Sequence, residues 1–148
     1  MVEHHAAEGE EPAVTLDAFL DQSNATAVRL EPDDDARALI PHLDRLALIE
    51  IAFPKFRDGR GYSQAAWLRH HLGWQGELRA VGDVLIDQLR AMARVGFDSF
   101  ALRADQDSAA ALVQFHAFAH QMQGDWRASR SQLAVQRSAH ALAGEARA

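Results

Sequence analysis

A chain of 148 residues, 48% hydrophobic and 24% charged, has the make-up of one globular domain and is too short for two ordinary ones. It contains no cysteine, which excludes disulfides, thiolate nucleophiles, cysteine-held zinc and ordinary iron–sulfur clusters, so any redox role would need a non-covalently bound cofactor. The formal charge of −6 is uneven: residues 1–35 hold ten acids and one base, Arg29, leaving eleven acids and fourteen bases for the remainder.

Those bases are scattered among acids rather than gathered with aromatics in a stripe, which argues against nucleic acid as a partner. No apolar run reaches membrane-spanning length. The opening MVEHHAAEGEEP lacks the basic flank and apolar stretch of a secretory signal, so the expected location is cytoplasmic.

Along the chain, residues 1–13 read as a disordered acidic arm and residues 14–123 as one α/β domain. Thr15 is placed to cap a short helix, TLDAFLDQ, and Ser23 and Asn24 mark a turn before TAVRLE, a short strand. PDDDARALIPHLDR has aspartates where a helix N-terminus favours them, with Pro41 kinking or ending the helix. LALIEIAF, residues 46–53, is almost continuously apolar, as a strand covered on both faces would be.

Ser63 is then expected to cap a helix that presents Ala65, Leu68 and Leu72 on one face and ends at Gly73. ELRAVG, residues 77–82, is a strand. Asp83 is expected to cap the next helix, whose Leu85, Leu89 and Met92 form a stripe before Gly96 stops it. FDSFALR, residues 97–103, reads as a strand, and Asp107 or Ser108 opens a helix carrying Leu112, Phe115, Ala119 and Met122. About four strand–helix units follow one another, which predicts a mainly parallel sheet, either open or half-barrel-like. Residues 124–148 read as a weakly helical or disordered tail. A sheet of about four strands leaves two edges, so a homodimer is expected.

In such folds ligands gather at the carboxyl ends of the strands. The stretch FPKFRDGRGYS lies there, with Lys55, Arg57, Asp58, Arg60 and Tyr62 after one strand and Arg79 and Asp83 around the end of the next. Gly59 and Gly61 would let the backbone turn and approach a ligand, while Ser63 and nearby helix amides add anion-binding donors. One reading is therefore a site for an anion held by arginine forks, built from Arg57, Asp58, Arg60, Tyr62, Ser63, Arg79 and Asp83. The other is a loop in which Asp58 pairs with Arg60 or Arg79 and folds on itself. GRG lacks the third glycine of a dinucleotide fingerprint, and no P-loop pattern is present.

The remaining candidates are slighter. His116 and His120 share a helix face but have no acidic neighbour of the metalloprotease type, so no metal is expected. His70 and His71 diverge on a helix. Glu50, alone among apolar residues, is either an acid–base group or, the favoured reading, a residue at a sheet edge or paired with an arginine. Asp87 and Gln88 are expected to face solvent or bond the loop.

The motifs DGRGYS, ELRAVGD and GFDSF, within roughly residues 44–105, resemble the bacterial domain-of-unknown-function family 934, whose members are labelled oxidoreductases involved in sulfite reduction; Trp74 stands where that pattern has a tyrosine. The resemblance implies a connection to assimilatory sulfate or sulfite reduction, beside a sirohaem sulfite reductase. With no redox equipment in the chain, that implies an accessory protein binding the reductase or an anionic ligand of its pathway. The alternative is an oxidoreductase that borrows a flavin or nicotinamide; the cofactor itself is unknown.

Overall fold

The computed structural model describes residues 12–21 and 24–116; Ser23, the acidic arm up to residue 11, His120, Ala119, Met122 and the tail lie outside these residues. Five strands form one sheet: β1 (Val14–Thr15), β2 (Ala27–Leu30), β3 (Leu48–Phe53), β4 (Glu77–Gly82) and β5 (Ser99–Phe100). All pair in parallel and in chain order, so LALIEIAF supplies the central strand of an open sheet. Between them run α1 (Leu16–Asp21), a 3-10 segment (Ala36–Arg45), α2 (Arg60–Ala66) continued by a wide π turn (Trp67–His71), a 3-10 turn (Ile86–Gln88) leading into α3 (Leu89–Val95), and, after β5, α4 (Ser108–His116). No helix among the described residues is long and apolar enough to cross a membrane.

Several boundaries differ from expectation, each for a local reason. The stretch with three aspartates winds as a 3-10 helix with Asp35 accepting from the Arg37 amide at 3.0 Å and with Pro41 accommodated inside it. α2 begins at Arg60, three residues before Ser63; Gly59 stands at its start with no side-chain cap, and Ser63 is an exposed residue within the helix. Asp83 caps no helix: the 3-10 turn starts after Leu85, and the Asp83 carboxylate is engaged elsewhere. Of FDSFALR only Ser99 and Phe100 pair, with Arg79 and Ala80. β1 is an additional edge strand, two residues long like β5; both edges are thereby short, a common way to blunt pairing with other chains. Thr15 caps α1 as expected, through a 3.4 Å bond from Ala18 N.

Consecutive parallel order has a consequence for the two faces. When every crossover turns the same way, the helices lie on one side of the sheet. Phe19, Leu39, Leu68, Met92 and Ala111, one from each helical segment, join Val28, Leu30, Ile49, Ile51, Phe53, Leu78, Ala80 and Phe100 in a single apolar cluster. Each large side chain buried there contributes about 1.5–3 kcal/mol. Gly61 is needed at this contact: a Cβ would come within 2.6 Å of the Phe53 ring and 2.9 Å of Ile51 Cγ2. The glycine thus brings α2 close to β3, rather than bringing backbone close to a ligand.

The alternate residues of the strands point the other way. In register across β2 to β5 stand Arg29, Glu50, Arg79 and Ser99. Glu50 Oε2 accepts from Arg29 Nε at 2.9 Å and Nη2 at 2.8 Å, and Glu50 Oε1 from Arg79 Nη1 at 3.4 Å. Arg79 also donates to Glu77 at 3.0 Å and to Ser99 Oγ at 3.3 Å, while Ser99 donates to Glu77 at 2.6 Å. Glu50 is therefore the partner of arginines, in a ladder that ties four strands and is buried at Glu50, Arg79 and Ser99.

At the amino ends of β4 and β5 a second buried charge acts as a bolt. Arg69, on the π turn, donates from Nε to Gly96 O at 2.9 Å, from Nη1 to Trp74 O at 2.6 Å and Gly76 O at 3.0 Å, and from Nη2 to the Asp98 carboxylate. The same carboxylate accepts from Leu78 N at 3.0 Å. Gly96, at φ 134°, has no room for a side chain beside Arg69.

Two stability predictions follow. Arg69→Met takes the donor from three carbonyls and the counter-ion from Asp98, and urea denaturation should register a loss of about 3 kcal/mol or more. Glu50→Ala should cost about 3 kcal/mol because Arg79 is buried, whereas Arg29→Ala, whose side chain is 44% exposed, should cost about 1 kcal/mol or less. Equal losses from the two would mean that the ladder does not discriminate by burial.

Candidate functional site

The loops that follow the strands converge at one end of the sheet, and the expected site residues divide there into separate groups. Asp58 and Arg60 come together. Arg60 donates from Nε to Asp58 Oδ1 at 3.0 Å and from Nη2 to Asp58 Oδ2 at 2.6 Å, and its Nη1 reaches Asp33 from the loop after β2. The Arg60 amide also donates to Asp58 Oδ1 at 3.1 Å. Gln64, buried on α2, extends this clasp by donating to Glu31 O at 2.9 Å and Asp34 O at 3.0 Å.

Asp83 belongs to a second clasp of the same design. Arg103 donates from Nε and Nη2 to the two Asp105 oxygens at 2.6 and 2.7 Å, and from Nη1 to Asp83 Oδ1 at 2.7 Å. Asp83 Oδ2 accepts from Phe56 N at 2.9 Å, and Gln88 Nε2 donates to Phe56 O at 2.8 Å. Ile86 N donates to Gln106 Oε1 at 3.2 Å. Each of the four loops is thus bonded to the next.

The other expected residues do not join. Arg79 lies in the ladder on the opposite sheet face, because strand alternation turns it away from Leu78 and Ala80. Tyr62 packs its ring edge-on against Phe53, centroids 5.6 Å apart, and burial together with the Asp87 charge pushes its phenol up. Ser63 is exposed on α2, and Arg57 stands on the loop tip with its guanidinium 5.3 Å from the Phe56 ring centroid. His70 and His71 are exposed on the π turn, and the pair His116 and His120 falls outside the described side chains. Among the described residues no three His, Asp or Glu side chains gather as a metal site.

Asp33, Arg103, Asp105 and Gln106 were not foreseen. The available signal was spacing: Asp58-Gly-Arg60 and Arg103-Ala-Asp105 place opposite charges two residues apart in a loop, within reach of a bidentate fork. Which neighbouring loop supplies the third member depends on strand order, and sequence spacing holds no record of it.

Electrostatically the two clasps lock charge in place. The fork from Arg60, and then its amide, hold the Asp58 carboxyl at about 2. Arg103 does the same for Asp105, also at about 2. The Phe56 amide, followed by Arg103, lowers Asp83. Both guanidiniums are pushed upward by their carboxylates, Arg60 chiefly by Asp58 and Arg103 chiefly by Asp105. The loops at residues 31–35, 54–60, 83–88 and 101–107 together carry nine acids against four bases. An incoming anion at Arg60 would meet two carboxylates already there, Asp58 and Asp33, and like charge repels it.

A carboxyl held below its ordinary value stabilises the fold above that value and loses the contribution as pH falls toward the folded-state value. Asp58 and Asp105 start from 3.8 and are held at about 2, so their contribution is present at neutral pH and lost between these values. The urea midpoint should fall in that window, and Asp58→Asn with Asp105→Asn should flatten the fall. An unchanged pH profile in the double variant would show that the clasps contribute nothing to folding.

Comparison with known proteins places this geometry in a family. No curated protein matches the chain in sequence. Residues 27–133, more than half of the chain and all of the sheet from β2 to β5, match the family described as "Bacterial protein of unknown function (DUF934)", and the chain belongs to that family.

Proposed function

We propose that the chain is a non-catalytic accessory protein of assimilatory sulfate or sulfite reduction that works by docking on a protein partner, with the sulfite reductase as the expected one. The observation that carries the choice between partner and small anion is the saturation of the clasp arginines. Arg60 and Arg103 each contact two aspartates, which leaves neither with the unspent charge an anion pocket requires. The pathway is the expectation attached to the motifs DGRGYS, ELRAVGD and GFDSF.

The direction of the titration shifts supports a non-catalytic role. A general acid or base works best with a pKa brought near the operating pH. In the two clasps Asp58, Asp83 and Asp105 move down and Arg60 and Arg103 up, so these five groups are fixed in their charged forms rather than poised to exchange a proton.

The test combines two measurements. Sulfite, sulfate and phosphate at millimolar concentration should leave the melting temperature unchanged, because a ligand that binds only the folded state must raise it. Affinity purification of the full chain from its host grown on sulfate should recover a sulfite reductase, and light scattering of the free protein would read out the homodimer that belongs to the same proposal. A saturable rise in melting temperature that Arg60→Ala abolishes would return the rim to the anion reading. Recovery of no sulfur-reduction enzyme would sink the pathway assignment.

A further inference from the structure

The tip of the loop after β3 is a hydrogen-bonded turn in which Asp58 N donates to Lys55 O at 2.9 Å. Phe56 and Arg57 therefore occupy its two corner positions. Surface turns ordinarily take glycine, proline, asparagine, aspartate or serine at such corners, for reasons of backbone conformation or local hydrogen bonding. Phenylalanine offers none of these, and no non-glycine residue here has a positive φ that would single the position out. The ring does not serve the core either: Phe56 is 38% exposed and stands apart from the apolar cluster. A lone exposed apolar side chain needs no explanation in general, and the other large ones exposed among the described residues, Leu20, Ile40, Leu112 and Val113, sit on helical segments. Phe56 stands on a turn, and the ring contact it makes among the described residues is with its own neighbour Arg57, whose guanidinium lies 5.3 Å from the centroid.

Its backbone, by contrast, is held firmly. Phe56 N is tied to Asp83 and Phe56 O to Gln88, and Asp83 is itself fixed by Arg103. An aromatic ring carried on a backbone fixed at both polar atoms loses little freedom when a partner covers it, which is the property of an interface anchor. Lys55 and Arg57, the flanking residues, are exposed. They are the two rim cations that make no ion pair among the described residues, since Arg60 and Arg103 are taken up by the clasps.

From this combination we propose that Lys55, Phe56 and Arg57 form a preorganised docking knob for an acidic protein surface containing a pocket for an aromatic ring. The inference rests on the reading that the chain docks on a partner, and adds to it the place and the chemistry of the contact. The acidic character of the rim around the tip sharpens the requirement: the partner's acids must meet the tip cations while keeping clear of Asp33, Asp58 and Asp105.

The experiment uses the full chain in its host, with the photo-crosslinking residue p-benzoylphenylalanine placed at position 56 and, as a control, at the exposed position of Ala47, beyond the amino end of β3. The expected result is one discrete adduct from position 56 that is missing from position 47. Lys55→Glu with Arg57→Glu should weaken it at least tenfold, and the partner's cross-linked peptide should lie in an acidic surface. Phe56→Ser should leave the melting temperature within about 2 °C while reducing partner recovery at least tenfold. No discrete adduct, an equal adduct at position 47, indifference to charge reversal, or a large fall in melting temperature for Phe56→Ser would each overturn the knob. The two proposals separate cleanly. A sulfite reductase that still co-purifies with Phe56→Ser leaves docking intact on another surface, whereas a charge-sensitive adduct to a protein outside sulfur reduction keeps the knob and removes the pathway.

Discussion

Parallel strands in strict chain order are the constraint from which the rest of this structure follows. With β1 to β5 laid side by side in sequence, every connecting helix packs on one face, and every loop that leaves a strand's carboxyl end emerges at one rim. A doubly wound sheet would have covered both faces of β3 with helices and made both apolar. Here the two faces of the central strand differ in kind: Ile49, Ile51 and Phe53 enter the helix-covered cluster, and Glu50 between them joins the arginine ladder. The ladder has a structural logic beyond its energy. A shift of pairing by one residue would carry Glu50 and Arg79 into the apolar layer, so the buried charges penalise any other register.

The polar interactions divide by burial into two kinds. Arg69 is enclosed, and its guanidinium answers the carbonyls of Trp74, Gly76 and Gly96 and pairs with the more open Asp98 carboxylate; removing it takes the side-chain donor from all three carbonyls and the counter-ion from Asp98. The rim clasps are open to water, where an ion pair is screened and its net stabilisation is small. Their value lies in geometry: a bidentate fork plus a third carboxylate from the adjoining loop restricts the relative position of two loops at once. One kind of arginine holds the fold together at the amino end of the sheet, and the other arranges the loops at the carboxyl end.

Much of the fold was legible because it depends on local pattern. The apolar run of β3, the boundaries of ELRAVG, and the glycines after the π turn and α3 all announce themselves in the sequence. Elements that depend on neighbours did not. Ser63 has the chemistry of an N-cap, but Gly61 must lie within the first turn so that α2 can approach Phe53, and this moves the helix start back to Arg60. The two-residue strands at the edges are set by what β2 and β4 present to them, so their length could not be read from TLDAFLDQ or FDSFALR. For the site, the Asp58–Arg60 pairing was legible as one of two readings, whereas Arg79 was misjudged by counting it among residues near a strand end. Its parity with Glu50 in the parallel register decides the face on which it lies.

The acidity of the rim has a source in the backbone. Asp34 accepts from Glu31 N, Asp35 from Arg37 N, Asp58 from Arg60 N, Asp83 from Phe56 N and Asp107 from Ala109 N. Turns and helix starts favour aspartate because its short carboxylate reaches amides that would otherwise lack partners. A fold that collects all its strand-to-helix loops at one end therefore collects aspartates there as well, and two arginines set among them offset the resulting repulsion. On this account most of the rim charge is a by-product of building loops, and charge alone is a poor guide to where a ligand binds. The informative residues are those for which the fold has no use. At this rim they are the exposed side chains of Lys55, Phe56 and Arg57, carried on a turn bonded at Lys55 O, Phe56 N, Phe56 O and Asp58 N.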